Sequence, residues 1–301
     1  MSIISVDSVC KSYGKVKALE SLSLTVEEGE LYGLIGADGA GKTTLFRILA
    51  TLLLPNSGRA TVCGLDTVKD YVALRRCVGY MPGRFSLYGD LTVEENLQFF
   101  ASVFGTTVDK NRYLVNDIYR QIEPFAGRRA AKLSGGMKQK LALCCALIHA
   151  PRMLFLDEPT TGVDPVSRRE LWQMLHGLQG QGITIVVSTP YMDEARQCSR
   201  MAFMREGVLM KSGTPQEITA SIGLNLYAVR ALPMHPLLDT VRRYAGVEGC
   251  YAFGDTHHFA MREPLDCGAF TAYLQAQGYR DIGVDKIAPT LEDCYMQLST
   301  L

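Results

Sequence analysis

Apolar and polar positions alternate along the chain in two distinct regimes. In the first, short unbroken apolar runs stand among longer helical patterns. Glu30 to Ile35 (ELYGLI) and Met153 to Leu156 (MLFL) read as buried strands, since strands covered on both faces carry continuous rather than alternating hydrophobicity. Thr44 to Thr51, a segment beginning at Glu94, and Met137 to His149 read as helices. Leu141 to Ile148 is the apolar heart of the last one, and it is too short to span a bilayer. Beyond Gly213-Thr214-Pro215 the second regime begins. Asn225 to Arg230 predicts a strand and Pro236 to Tyr244 a helix. Val247 to Phe253 and His257 to Met261 predict paired strands around Gly254-Asp255. Leu265 to Gln277 predicts a helix, Tyr279 to Val284 a strand, and Thr290 to Leu298 a final helix. That β-α-β-β-α-β order predicts a small α+β domain of ferredoxin-like type.

Candidate chemistry sits in the first regime. Between ELYGLI and its helix lies Gly36-Ala37-Asp38-Gly39-Ala40-Gly41-Lys42-Thr43-Thr44. A glycine-rich loop from strand to helix aims successive backbone N–H groups into one concavity, which suits an anion. The full G-x-x-x-x-G-K-T spacing adds Lys42 for the β- and γ-phosphates and a Thr43 hydroxyl for Mg²⁺. Asp157 and Glu158 follow MLFL. An acid ending a strand beside the loop-bearing strand can hold the metal through water, as Asp157 would. Glu158 then stands where it can polarise a water for in-line attack. A third segment, Leu133-Ser134-Gly135-Gly136, opens the helix at Met137. Ser134 at a helix N-terminus, with two glycines giving backbone access, is again suited to an anion, although it also reads as an ordinary N-cap. One chain with one phosphate loop offers that second site no triphosphate of its own. A head-to-tail pair of chains would.

Taken together these segments resemble the ATP-binding cassette (ABC) ATPase family over about the first 220 residues. Gly36 to Thr44 look like its Walker A motif, Leu133 to Gln139 like its signature motif, Leu154 to Glu158 like Walker B, and Thr161 to Asp164 like the D-loop. Tyr13 is similar to the aromatic residue that stacks on adenine. The resemblance implies an α/β P-loop NTPase fold with a mixed sheet and a helical signature subdomain at about 84–150. The ATPase domain would occupy 1–220 and the accessory domain 221–301. It implies ATP and Mg²⁺ as ligands, a second cassette as dimer partner, and membrane permease subunits. These would be met at Tyr80 to Phe104, where Phe85, Leu87, Tyr88 and Leu91 put apolar groups in a loop-like stretch. The stretch is similar to that of bacterial ABC-2-type exporters, a resemblance that implies a chain held peripherally on the cytoplasmic face of the inner membrane.

Two family positions depart. After Val78-Gly79-Tyr80-Met81-Pro82 the family has a glutamine that contacts Mg²⁺ and the attacking water; here it is Gly83. After Ile185 to Thr189 the family has a histidine that contacts the γ-phosphate; here it is Pro190. Neither residue offers a side-chain hydrogen-bond donor. The expectation is good ATP binding with slow hydrolysis at this chain's own loop.

Composition narrows the alternatives. With 31 basic and 31 acidic residues the formal charge is zero, so no broad basic field points to nucleic acid. No apolar run approaches the ~20 residues of a membrane span, and Met1 to Val9 lacks a secretory pattern. The nine cysteines include no C-x-x-C pair, so buried thiols in a reducing compartment are expected. His257-His258 has no metal-ligand spacing around it. Two other classes stay open on these residues: a non-transport ABC ATPase, and a scaffold that senses ATP without turnover.

Overall fold

A computed structural model of the chain describes residues 2–300. It divides into two compact units, one ending at Thr214 and the other beginning at Pro215. The break precedes the expected 220/221 border because helix α8 (Pro215–Ala220) packs on helix α11 (Leu291–Thr300) of the second unit.

The first unit holds two sheets. Strands β1 (Ser2–Tyr13), β2 (Val16–Glu27), β4 (Ser57–Val62) and β5 (Leu65–Asp66) form an antiparallel sheet in the order β2-β1-β4-β5. The second sheet contains β3 (Leu31–Ile35), β6 (Val78–Met81), β7 (Met153–Asp157), β8 (Thr184–Thr189), β9 (Arg200–Arg205) and β10 (Val208–Gly213), in the order β10-β9-β3-β8-β7-β6. All its pairings are parallel except β9 with β10. Every residue of β3, β7 and β8 is buried, as their unbroken apolar runs require.

This order corrects one expectation. The acidic strand β7 is not beside the loop-bearing strand β3. Strand β8 lies between them, so Ser188 is in register with Leu34 on one side and Asp157 on the other.

Helix α1 (Lys42–Leu49) begins two residues before the expected Thr44. Its apolar face, Leu45, Phe46, Ile48 and Leu49, is buried in the core that joins the two sheets. Helix α2 (Tyr71–Cys77) precedes β6. The helical part consists of α3 (Val93–Val103), α4 (Val108–Tyr119) and α5 (Gly135–Leu147), which pack together around Val93, Leu97, Val115, Ile118 and Leu141. Helix α3 starts with a reciprocal capping box between Thr92 and Glu95. Its buried Asn96 accepts from the Tyr88 N–H at 3.1 Å and donates to the Tyr88 carbonyl at 3.0 Å, fixing the preceding loop. Helices α6 (Pro165–Gly180) and α7 (Met192–Ala195) complete the unit.

The second unit adds β11 (Asn225–Leu232), α9 (Met234–Arg242), β12 (Val247–Phe253), β13 (Thr256–Met261), α10 (Cys267–Ala276) and β14 (Arg280–Ile287). The antiparallel order β12-β13-β11-β14 is that of a split β-α-β. Tyr227, Val229, Phe259, Phe270 and Leu274 form its core. Helix α11 is fastened by Asp293, which is fully buried. Its Oδ1 accepts from Tyr251 at 2.8 Å and from His258 Nδ1 at 2.7 Å. Its Oδ2 accepts from the Thr290 N–H and hydroxyl at 2.7 and 2.6 Å. Burial alone would raise the Asp293 pKa, but these donors outweigh it and hold the carboxyl below its ordinary value.

Asp293→Ala strands the buried Tyr251 and His258 donors and should cost about 3 kcal/mol of the second unit's stability. Urea denaturation followed by hydrogen exchange over 215–300 reads this. Because the folded pKa is depressed, the stabilisation is complete above about pH 4 and fades as pH falls through the lower folded value. The native chain should therefore lose stability there, and the variant should not show that component.

Candidate functional site

The loop between β3 and α1 is held open by glycine at two pinch points. Gly41, the N-cap of α1, has φ 103°, and a Cβ there would strike the Ala18 carbonyl. A Cβ on Gly36 would strike the Met204 carbonyl. Only glycine allows the backbone this close.

Lys42, the first residue of α1, is 3% exposed. Its Nζ donates to the Gly36 and Ala37 carbonyls at 2.7 and 3.0 Å and pairs with Glu158 Oε1 at 3.2 Å. Three oxygens around a buried ammonium offset its desolvation. The Gly36 N–H donates to the Thr189 carbonyl at 3.3 Å, so the start of the loop is tied to the end of β8.

Asp157 is buried at the C-terminal end of β7. Ser188 Oγ donates to Asp157 Oδ1 at 2.7 Å. The Glu158 N–H is shared between the Ser188 carbonyl at 3.1 Å and Ser188 Oγ at 3.0 Å. Glu158 has φ 49°, a conformation costing a non-glycine residue about 1–3 kcal/mol, and this double bond helps hold it. Burial, with the Asp157 charge adding to it, pushes the Tyr80 phenol up to about 12. Thr189 donates to the buried Glu194 Oε2 at 2.6 Å, which braces the end of β8.

Tyr13, Asp38, Gly39, Ala40, Gly41, Lys42, Thr43, Thr44 and Glu158 line one open cavity of about 490 Å³. Tyr13 is 47% exposed, with Lys11 Nζ 5.8 Å from its ring centre. Ser134, Gly135 and Gly136 do not line this cavity. Ser134 is the exposed N-cap of α5 and accepts from the Met137 N–H at 3.4 Å. This motif abuts the D-loop instead. A Cβ on Gly135 would lie 3.5 Å from the Gly162 carbonyl. Asp164 caps α6 by accepting from the Val166 and Ser167 N–H groups, and the Ser167 bond leads in depressing its pKa.

A Cβ on Gly83 would be 3.0 Å from the Asp157 carbonyl and 3.8 Å from Glu158 Cβ, so position 83 faces the acidic pair. Pro190 directly follows Thr189 at the mouth of β8. Ser188 was missed by sequence reasoning. Its available signal was a hydroxyl pair, Ser188-Thr189, ending an otherwise apolar run.

A glycine loop with a buried lysine, facing acids at the C-terminal ends of parallel strands, defines a P-loop NTPase fold. The ABC transporter family model matches residues 19–161. The chain is 50% identical over 93% of its length to the "Probable multidrug ABC transporter ATP-binding protein YbhF" of Escherichia coli (strain K12), covering 49% of that protein. It thus spans about half the length of the YbhF relatives it matches. It is 32% identical to the Nod factor export ATP-binding protein I of Rhizobium sp. (strain N33), covering 99% of this chain and 98% of the relative. Among solved structures, the ATP-binding subunit of an ABC transporter superposes with a TM-score of 0.67 at 28% identity, covering 73% of this chain and 93% of the other. A dimeric cassette in a post-hydrolysis state bound to ADP and Pi gives 0.64 at 26% identity, covering 70% and 98%. The chain belongs to the family of ABC transporter ATP-binding proteins.

Gly136 lets α5 meet α6. A Cβ there would lie 2.5 Å from Ser167 Oγ and 2.8 Å from its Cβ. Gly136→Ala should therefore destabilise the first unit by about 1–3 kcal/mol. Chemical denaturation of the variant checks this, and an unchanged midpoint would contradict the packing account.

Proposed function

We propose that this chain is the ATP-binding subunit of a bacterial exporter. It would bind Mg-ATP, dimerise with another cassette, and drive membrane permease subunits from the cytoplasmic face of the inner membrane. One observation carries the reading. Tyr13, the phosphate loop and Glu158 share a cavity, while Ser134 and Gly135 lie outside its lining, exposed beside the D-loop. Such a chain holds one half of each of two sites, and a partner supplies the other halves.

The residues fit the ligands. The loop N–H groups and Lys42 suit a triphosphate. The Thr43 hydroxyl and Asp157 carboxylate are the hard oxygen donors that Mg²⁺ prefers. When bound, Mg-ATP supplies the phosphoryl group and much of the charge neutralisation. Glu158 is the base that orients water. Lys42 would exchange its two carbonyl partners for phosphate oxygens, and Tyr13 offers a ring for adenine to stack upon. ATP acts as a switch because it favours the paired cassettes over the separated ones.

The permease would meet an apolar cavity of about 310 Å³ whose lining includes Met81, Leu87, Phe100, Phe104 and His149. Exposed Phe85 and Tyr88 lie on the same loop. Among the described residues no helix is long and apolar enough to cross a membrane. We assign the second unit a regulatory or dimer-stabilising role. Relatives named for multidrug and Nod factor export support the transport reading over a non-transport one.

Gly83 and Pro190 make this chain's own site slow. Losing one oriented transition-state contact commonly costs about 10²–10³ in rate, and two losses in one constellation do not simply multiply. The double variant Gly83→Gln, Pro190→His should raise steady-state ATP turnover at least about tenfold. The Asp157 carbonyl must yield a few tenths of an ångström to the new Cβ. A variant that binds ATP but turns over no faster than the native chain would overturn this assignment.

A further inference from the structure

We infer that Ser188 is a positioning residue that sets the metal-side carboxylate and the catalytic base together. The inference rests on the reading of Asp157 and Glu158 given above.

The chemistry of three groups, the Glu158 N–H and the buried Ser188 and Asp157 side chains, dictates the direction of their hydrogen bonds. The Glu158 N–H can only donate. It reaches Ser188 Oγ at 3.0 Å, so that oxygen must accept. The one hydroxyl proton is then free to point at Asp157 Oδ1, 2.7 Å away. An ionised carboxylate can only accept, so every group in the chain Glu158 N–H to Ser188 O–H to Asp157 is satisfied. Hydrogen bonds aligned in one direction along such a chain polarise one another.

The topology explains why β8 supplies this group. Strand β8 runs between β3 and β7, and Ser188 is level with both Leu34 and Asp157. Ser188 is fully buried and Asp157 is 3% exposed, so water does not compete for these bonds. The next residue, Thr189, is tied to the buried Glu194 at 2.6 Å, and its carbonyl accepts the Gly36 N–H. Ser188 therefore sits on a strand end clamped on both sides. It also fixes the backbone of Glu158 at its left-handed φ of 49°. With glycine at 83 and proline at 190, Ser188 is a side-chain donor to the acidic pair that this chain retains.

The test is equilibrium binding of a non-hydrolysable ATP analogue to the full chain while Mg²⁺ is titrated. Ser188→Ala should raise the half-saturating Mg²⁺ concentration at least about tenfold, the range for loss of an outer-shell partner at a metal site. Analogue affinity without Mg²⁺ should be unchanged. Ser188→Cys, which keeps the volume but donates weakly, should shift in the same direction, so the reading survives if the alanine variant folds poorly. In an Asp157→Asn background Ser188→Ala should add nothing. An unshifted Mg²⁺ titration in both serine variants would overturn the inference. So would equal loss of analogue affinity with and without Mg²⁺, which marks a packing defect. Mg²⁺-independent binding by the native chain would instead overturn the reading of Asp157 on which the inference rests.

Discussion

A lysine ammonium buried just beyond the C-terminal end of an interior strand must be surrounded by oxygen, and much of this site follows from that requirement. Lys42 finds the Gly36 and Ala37 carbonyls and the Glu158 carboxylate within 3.2 Å. The carbonyls are available because the loop turns back on itself at glycines where no Cβ fits. The carboxylate is available because Glu158 accepts an unfavourable φ, stabilised by its shared hydrogen bond to Ser188. Strain at Glu158 and burial of Lys42 are thus mutually dependent. Each would be destabilising alone, and together they leave a charged group poised toward an open cavity.

That cavity carries half of a catalytic apparatus. The Ser134 motif is turned elsewhere, sharing a surface with the D-loop, where Gly136 lets α5 and α6 approach to contact distance. A folded chain with its two phosphate-directed motifs on different surfaces needs a second cassette to use both. Under the proposed function, pairing with a cassette unlike this one at positions 83 and 190 would make the two resulting sites unequal. One is built on a loop whose surroundings lack a glutamine and a histidine side chain. The other is closed by a Ser134 motif with nothing missing.

Much of this was legible in the sequence because it is local. Strand, glycine loop and helix are contiguous, so their geometry follows from residues within one short stretch. Ser134 before two glycines is likewise a local cap. The ferredoxin-like order of the second unit could be read from turn residues and alternation, and its strand order follows the pattern that order implies. Sheet order in the first unit was less accessible. Continuous apolar strands carry no face or neighbour information, so nothing in MLFL revealed that β8 separates it from β3. Ser188 was overlooked for the same reason, since its function exists only once that order is known. The Asp293–His258 pair, 35 residues apart, is equally invisible before α11 is laid against the sheet. The helix start was misplaced by two residues because Lys42 and Thr43 read as loop chemistry while their backbone is already helical.

The proposed function has this chain hold ATP well and turn it over slowly at its own phosphate loop, where Gly83 and Pro190 offer no side-chain donor. The most direct measurement sets equilibrium ATP affinity beside single-chain turnover at saturating Mg-ATP. Micromolar binding or tighter is expected, with turnover of about 0.1 per second or less, roughly a hundredfold below a typical enzyme. Turnover near 10 per second from the purified chain alone would contradict it.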